Sequence, residues 1–158
     1  MDSLDIIEEI IAKFTKHKIT LAVAESCTGG YISSMITNVS GASNVFERGI
    51  VCYSNSSKMD LLNINPDYLI QFGAVSEIVA KHLANNIRIL SNVNIGIGVT
   101  GIAGPTGGTP EKPVGLVYIG FSTEKETIVK KYQFQADRIN FKRAVLKEVL
   151  AFLQNLDF

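Results

Sequence analysis

From Ile95 to Thr100 the chain alternates apolar residues with glycine, and from Gly101 to Pro110 it carries four Gly and two Pro. The first stretch suits a buried strand with little side-chain bulk. The second cannot continue as a regular helix or strand, because Pro removes backbone donors and Gly resists ordering. A glycine-rich loop at the end of a buried strand commonly wraps a phosphate or a sugar through backbone N–H groups. It is not a P-loop, since no Gly-Lys-Ser/Thr closes it. Nor is it a GxGxxG turn opening a helix, because Pro105 and Pro110 intervene. The plain alternative is a long surface turn, yet loops of this length without structure of their own tend to be functional or disordered.

The remaining elements follow from periodicity. Ser3 or Asp5 can cap a first helix whose apolar residues Ile6, Ile7, Ile10, Ile11 and Phe14 fall at helical spacing. Thr20 to Ala24 reads as a short buried strand that runs into Glu25-Ser26-Cys27-Thr28-Gly29-Gly30, and Tyr31 to Thr37 reads as a helix. Gly49 to Tyr53 reads as a second strand, with Ser54-Asn55-Ser56 capping a short helix that ends near Leu62. Pro66 starts a further helical turn, and Ser76 caps a helix running to about Leu90. Val114 to Phe121 and Thr127 to Phe134 form a hairpin through Thr123-Glu124-Lys125, and a closing helix starts at Arg138. Strands alternate with helices and finish in a hairpin. The expected fold is α/β, a three-layer α/β/α sandwich with a mixed, mostly parallel central sheet. No repeat or linker divides the chain, so residues 1–158 are expected to form one domain.

Composition narrows the function classes. The sequence is 46% hydrophobic and 19% charged, within the globular range. Fifteen basic and fifteen acidic residues leave no net charge, whereas a nucleic-acid binder usually carries a basic surplus. A local basic group at Lys130, Lys131, Arg138, Lys142 and Arg143 reads mostly as a solvated strand end and helix face. Cys27 and Cys52 form no CxxC pair, and with His17 and His82 alone a zinc site is hard to assemble. The start MDSLDIIEEI is acidic and amphipathic, unlike a signal peptide, and no apolar run reaches membrane-spanning length. The expectation is a cytoplasmic protein with reduced thiols and no nucleic-acid or membrane partner.

Ser26 sits where a strand gives way to a helix. Its hydroxyl can face a ligand there, with the N–H groups of Cys27 and Thr28 stabilising an anion and Gly29 and Gly30 allowing close backbone approach. On local sequence alone, a plain helix cap at Ser26 or Thr28 is the commoner role. Cys27 is a rival nucleophile, but a catalytic Cys usually needs a His partner and neither His has an obvious route to this turn. A Ser-His-Asp triad meets the same objection. Lys58 is the best remaining base; it must be neutral to accept a proton, which requires burial or nearby positive charge. Tyr53 can donate a hydrogen bond or relay the proton. The bland readings are an exposed helix lysine and a half-buried strand tyrosine. Arg138 can hold a phosphate by paired hydrogen bonds, or simply pair with Asp137 at the surface.

Five stretches together resemble the CinA C-terminal domain family: AESCTGG (24–30), FERGIVCYSNSSK (46–58), GAVSE (73–77), TGIAGPTGG (100–108) and EKPVGLVYIG (111–120). They occur in the family's order and cover nearly the whole chain. The resemblance implies hydrolysis of nicotinamide mononucleotide to nicotinate mononucleotide and ammonia, without a metal or other cofactor, by a homodimer. It places Ser26 at the family's nucleophile, Lys58 at its basic partner and Tyr53 beside them. Thr100, Gly101 and Gly104 match the ligand-binding loop. Full-length family proteins also carry a larger N-terminal domain, which this sequence does not include. Two positions depart from the family. Ala136-Asp137-Arg138 stands where Gly-Asp-Arg is frequent, and Lys142, followed by Arg143, stands where a second Arg is frequent. Lys keeps the charge but not the bidentate fork, so the phosphate contact is left open among Arg138, Lys142 and Arg143. Two alternatives stay open: a non-catalytic nucleotide-binding module, and an amidase for a different pyridine amide.

Overall fold

A computed structural model describes residues Met1–Phe158. Helix α1 (Ser3–His17) starts at Asp2, not at Ser3 or Asp5. The Asp2 side chain accepts from Asp5 N–H and the Asp5 side chain accepts from Asp2 N–H, a reciprocal capping box. Strand β1 (Leu21–Glu25) is buried along its whole length and leads through a tight turn into helix α2 (Tyr31–Thr37). Strand β2 (Phe46–Val51) follows, then helices α3 (Asn55–Leu62), α4 (Pro66–Phe72) and α5 (Glu77–Ser91). Strands β3 (Ile95–Gly101), β4 (Leu116–Ser122) and β5 (Thr127–Gln133) and helix α6 (Arg138–Gln154) complete the chain.

The five strands form one sheet in the order β2-β1-β3-β4-β5. β1 runs parallel to both β2 and β3, while β4 is antiparallel to β3 and β5 to β4. Four strands therefore point one way and β4 alone points back, as the expected mixed and mostly parallel sheet requires. Helices α1, α2 and α6 pack together on one face, and α3 and α4 pack against α5 on the other. The larger core lies on the first face, where Ile7, Phe14, Val23, Ile97, Phe141 and Val149 belong to one buried cluster. No helix is long and apolar enough to cross a membrane.

The glycines of β3 have a packing reason. A Cβ at Gly96 would stand 2.1 Å from the Ala84 carbonyl oxygen, and one at Gly98 would stand 2.5 Å from Ala84 N. Helix α5 thus rests its backbone directly on the strand, which no larger residue permits.

Two boundaries differ from expectation. The second strand begins at Phe46 and stops at Val51, so Cys52 and Tyr53 lie beyond it. Their carbonyls are claimed by the Lys58 side chain rather than by a ladder. β4 begins at Leu116, because Pro113 to Leu116 closes a turn.

Topology places a crevice. The chain leaves β1 toward β2 on one side, then returns to β3 on the other. In open α/β sheets the carboxyl ends of such neighbouring strands bind ligands.

Candidate active site

Ser26 follows β1 at that crevice, and its N–H donates to the Val99 carbonyl of β3 at 3.1 Å. Gly29 and Gly30 take positive φ of 58° and 96°, which turns the chain abruptly into α2. Neither Ser26 nor Thr28 caps that helix. The N-cap position is Gly30, and the Glu25 carboxylate instead accepts from Ile32 and Ser33 N–H at 2.9 Å each. With capping assigned to Glu25, the Ser26 hydroxyl is free for another partner.

That partner is Lys58. The Ser54 side chain accepts from Ser57 N–H and starts α3, which carries Lys58 in its first turn. The Lys58 side chain turns inward, is 1% exposed, and brings Nζ to 2.9 Å from Ser26 Oγ. Nζ also donates to the carbonyls of Cys52 and Tyr53, both at 3.0 Å. Burial lowers the lysine pKa below its ordinary 10.5, and the thiols of Cys52 and Cys27 act in the opposite, weaker sense. No carboxylate pairs with this amine; the chain's one salt bridge is the surface pair Arg48–Glu47.

Cys27 is the poorer nucleophile. It is buried, and burial pushes its thiol pKa up to about 12, so it stays protonated near neutrality. His82 stacks on Tyr68 and His17 lies against Phe158, each away from Ser26. Nowhere do three His, Cys, Asp or Glu side chains converge as metal ligands would.

The other expected residues take distinct places. Tyr53 is 59% exposed rather than half buried. Its hydroxyl accepts from Arg138 Nη2 at 3.0 Å, while its backbone carbonyl is what meets Lys58. Arg138 does not pair with Asp137. Its Nη1 donates to the Gly104 carbonyl at 2.8 Å, so one guanidinium joins the glycine-rich loop to Tyr53. Thr100 spends its hydroxyl on the Ala74 carbonyl at 2.8 Å, which fixes the α4–α5 junction against the end of β3. Gly101 has no room for a Cβ, which would meet the Leu116 carbonyl oxygen at 2.7 Å. Lys112 Nζ donates to the Phe72 carbonyl and ties the far limb of the loop to α4.

Between these elements lies a cleft of about 330 Å³, lined by Ser26, Tyr53, Lys58, Val75, Gly101 and Arg138 among others. Cys27 and Thr28 N–H, beside Ser26, take no acceptor within the chain, nor do those of Ala103, Gly104, Thr106 and Gly107 in the loop. Glu25 escaped the sequence reading, and Lys142 figured there only as one of three candidates for the phosphate contact. Glu25 read only as the first residue of the polar turn after the strand, although an acid closing an otherwise apolar run needs buried donors. Lys142 reaches over the Ser26 turn: a Cβ on Gly29 would lie 3.6 Å from its Nζ. It is also close enough to Cys27 to act on the thiol's titration. One turn of α6 separates it from Arg138.

A sequence model of the CinA C-terminal domain matches residues 4–156. A CinA-like protein of Syntrophotalea carbinolica is 52% identical over 124 residues, 78% of this chain and 30% of that protein. A CinA-like protein of Kosmotoga olearia is 46% identical over 149 residues, 94% of this chain and 36% of that protein. The chain thus spans about a third of the length of these relatives. The crystal structure of the competence/damage inducible protein CihA from Agrobacterium tumefaciens superposes with a TM-score of 0.94 at 35% identity, covering 98% of this chain and 94% of that one. With the fold, the motifs and the matched length in agreement, this chain belongs to the CinA C-terminal domain family.

Proposed function

We propose that this domain hydrolyses the carboxamide of nicotinamide mononucleotide, giving nicotinate mononucleotide and ammonia, with Ser26 as nucleophile and Lys58 as base. The observation that carries the reading is the 2.9 Å contact between a buried Nζ and Ser26 Oγ. Three oxygens surround Nζ, Ser26 Oγ and those of the Cys52 and Tyr53 carbonyls, and only the neutral form of the amine can accept the Ser26 proton. A neutral amine has two N–H bonds and one lone pair. The two carbonyls of Cys52 and Tyr53 can only accept, so they take both N–H bonds and leave the lone pair for the Ser26 proton. Burial without a counter-charge favours the same uncharged state.

In this mechanism Lys58 takes the hydroxyl proton as Oγ bonds to the carboxamide carbon. The N–H groups of Cys27 and Thr28 receive the oxyanion; losing one such donor typically costs about 10² to 10³ in rate. The Lys58 ammonium returns its proton to the departing amide nitrogen as the C–N bond breaks and ammonia leaves. Water then attacks the Ser26 ester with Lys58 again the base, releasing the acid and restoring the hydroxyl. Lys142 and Arg138 give the mouth two positive charges, and the free loop N–H groups add donors, a combination suited to a phosphate. Tyr53, held by Arg138, keeps its own O–H proton available to a substrate atom.

The test is direct. Purified protein incubated with nicotinamide mononucleotide is expected to release ammonia and nicotinate mononucleotide in equal amounts. The rate should rise with pH through a group titrating below an ordinary lysine. No ammonia from pH 6 to pH 10 would end the proposal.

A further inference from the structure

We propose that Glu25 is a positioning residue for this reaction: its buried carboxylate fixes the turn that presents Ser26 and the N–H groups of Cys27 and Thr28, and its backbone sets the distance to Lys58. This role rests on the Ser26–Lys58 reading above.

The Glu25 side chain is 0% exposed and has no cation beside it. Four donors converge on it instead. Oε1 accepts from Thr28 Oγ1 at 2.7 Å and Ile32 N at 2.9 Å. Oε2 accepts from Ser33 N at 2.9 Å and Ser33 Oγ at 2.6 Å. A carboxylate is the one side chain that offers acceptors alone at both oxygens, so it satisfies all four. Thr28 is thereby held from its side chain while Ser26 is held from its N–H by Val99, and the Cys27–Thr28 segment between these anchors is left with its own N–H groups unengaged.

The same residue reaches the lysine through its main chain. The Glu25 carbonyl accepts from Cys52 N at 2.9 Å, and the Cys52 carbonyl accepts from Lys58 Nζ. One residue thus holds the nucleophile turn by its carboxylate and the lysine's anchor by its carbonyl. Strand β2 also makes room for this arrangement. A Cβ at Gly49 would fall 2.2 Å from Ser33 Oγ, so only glycine lets that hydroxyl turn toward Oε2.

Glu25→Gln keeps the size but turns one oxygen into an NH₂ group. The hydroxyl of Thr28 or Ser33 can rotate to accept from it, whereas the backbone N–H beside it cannot, so one donor faces another donor. The expected result is a folded variant whose kcat on nicotinamide mononucleotide falls about 10²-fold or more while KM and calorimetric affinity for nicotinate mononucleotide stay within about threefold. A cap that mattered only for folding would lower the melting temperature and leave kcat per folded molecule alone.

Phenylmethanesulfonyl fluoride makes the test independent of substrate. Ser26 Oγ bonds to sulfur, the S–F bond breaks, Lys58 takes the hydroxyl proton and fluoride leaves. Mass spectrometry should find Ser26 labelled quickly in the wild type and slowly in Glu25→Gln. Ser33→Ala, which removes one donor and leaves the other three, covers the case in which Glu25→Gln does not fold; kcat should then drop several-fold with KM unchanged. A folded Glu25→Gln, or failing that Ser33→Ala, that equals an active wild type in kcat and labelling overturns this role alone. A wild type with Ser26 unlabelled and the mononucleotide untouched overturns the Ser26–Lys58 reading and this role with it.

Discussion

The two ends of the sheet differ in what they bury. At the carboxyl ends of β1 and β3 the interior holds Glu25, Ser26, Thr28, Lys58 and Thr100, and the side-chain polar atoms of all five have partners. At the amino end of β3 a larger cavity of about 570 Å³ lies between Phe121, Phe152, Ile95 and Leu156, with Arg88 at its edge. Phe121 and Phe152 stack there at 3.8 Å, and the nearby Ser91 hydroxyl is buried with no partner. Volume alone would point to the amino end of β3 rather than to the cleft at Ser26 and Lys58. Burying an ionisable group costs stability, whether it keeps its charge or gives it up, so a lysine and a carboxylate kept inside without ion pairs mark the end where a functional site is to be sought. The other end is mostly packing: its buried Ser122 hydroxyl accepts from Arg88 and Thr127, and Ser91 is its one buried side chain with an unpaired polar atom.

If that division holds, substitutions at the two ends should separate activity from stability. Ser26→Ala gives the largest effect on rate: ammonia release should fall by about 10³-fold or more, with the melting temperature and nucleotide affinity nearly unchanged. A variant with full turnover would move the nucleophile elsewhere. Lys58→Met should lose a similar factor, and it also carries a stability signature. The unfolded chain holds the lysine proton up to pH 10.5, while the folded chain releases it at lower pH. In that window the unfolded state binds more protons, so wild-type stability relative to Lys58→Met should rise with pH up to about 10.5 and fall as pH drops through the folded value. Chemical denaturation at several pH values reads this difference; a flat or falling one would mean the buried amine is charged.

Phe121→Ala tests the opposite end. Phe121 is fully buried, and removing such a ring costs about 3–5 kcal/mol. The unfolding free energy from denaturant titration should fall by that amount while kcat per folded molecule stays within about twofold of wild type. A large kcat loss at equal folding would couple the two ends and dissolve the contrast.

Much of this contrast was legible in the primary structure, and the parts that were not share a cause. Helical periods placed α1 and α6, which meet the core along one face, short apolar runs placed the buried strands β1 and β3, and caps or Pro66 placed α3, α4 and α5. The cap at Ser54 and the following Lys58 were readable as local chemistry. Their meeting with Ser26 was not, since residues 26 and 58 come together only when β2 lies beside β1. Tyr53 reads as a hydrogen-bond donor or proton relay, yet the lysine binds its carbonyl, an atom every residue has and no sequence pattern reports. Arg138 read as a phosphate contact or, because adjacent charges suggest pairing, as a surface partner of Asp137. The fold instead sets it against Gly104 and Tyr53, far away in the chain. Glu25 was hidden for the opposite reason: its donors at Thr28, Ile32 and Ser33 are near in sequence, but two of the four are backbone N–H groups that any helix start supplies.

Ser91→Ala is the finest test of the comparison. Its hydroxyl sits in the last turn of α5, 7% exposed, and makes no hydrogen bond. An unpaired buried hydroxyl is a cost to folding, and alanine in addition prefers the helix by a few tenths of a kcal/mol. Removing it should therefore stabilise the domain by about 1 kcal/mol, seen as a raised urea midpoint at unchanged slope. Turnover should not change, because the residue lies at the opposite end of the sheet from the proposed Ser26–Lys58 site. Loss of stability would mean that the hydroxyl has a partner, and the amino end of the sheet would then be as fully paired as the end that carries Ser26 and Lys58.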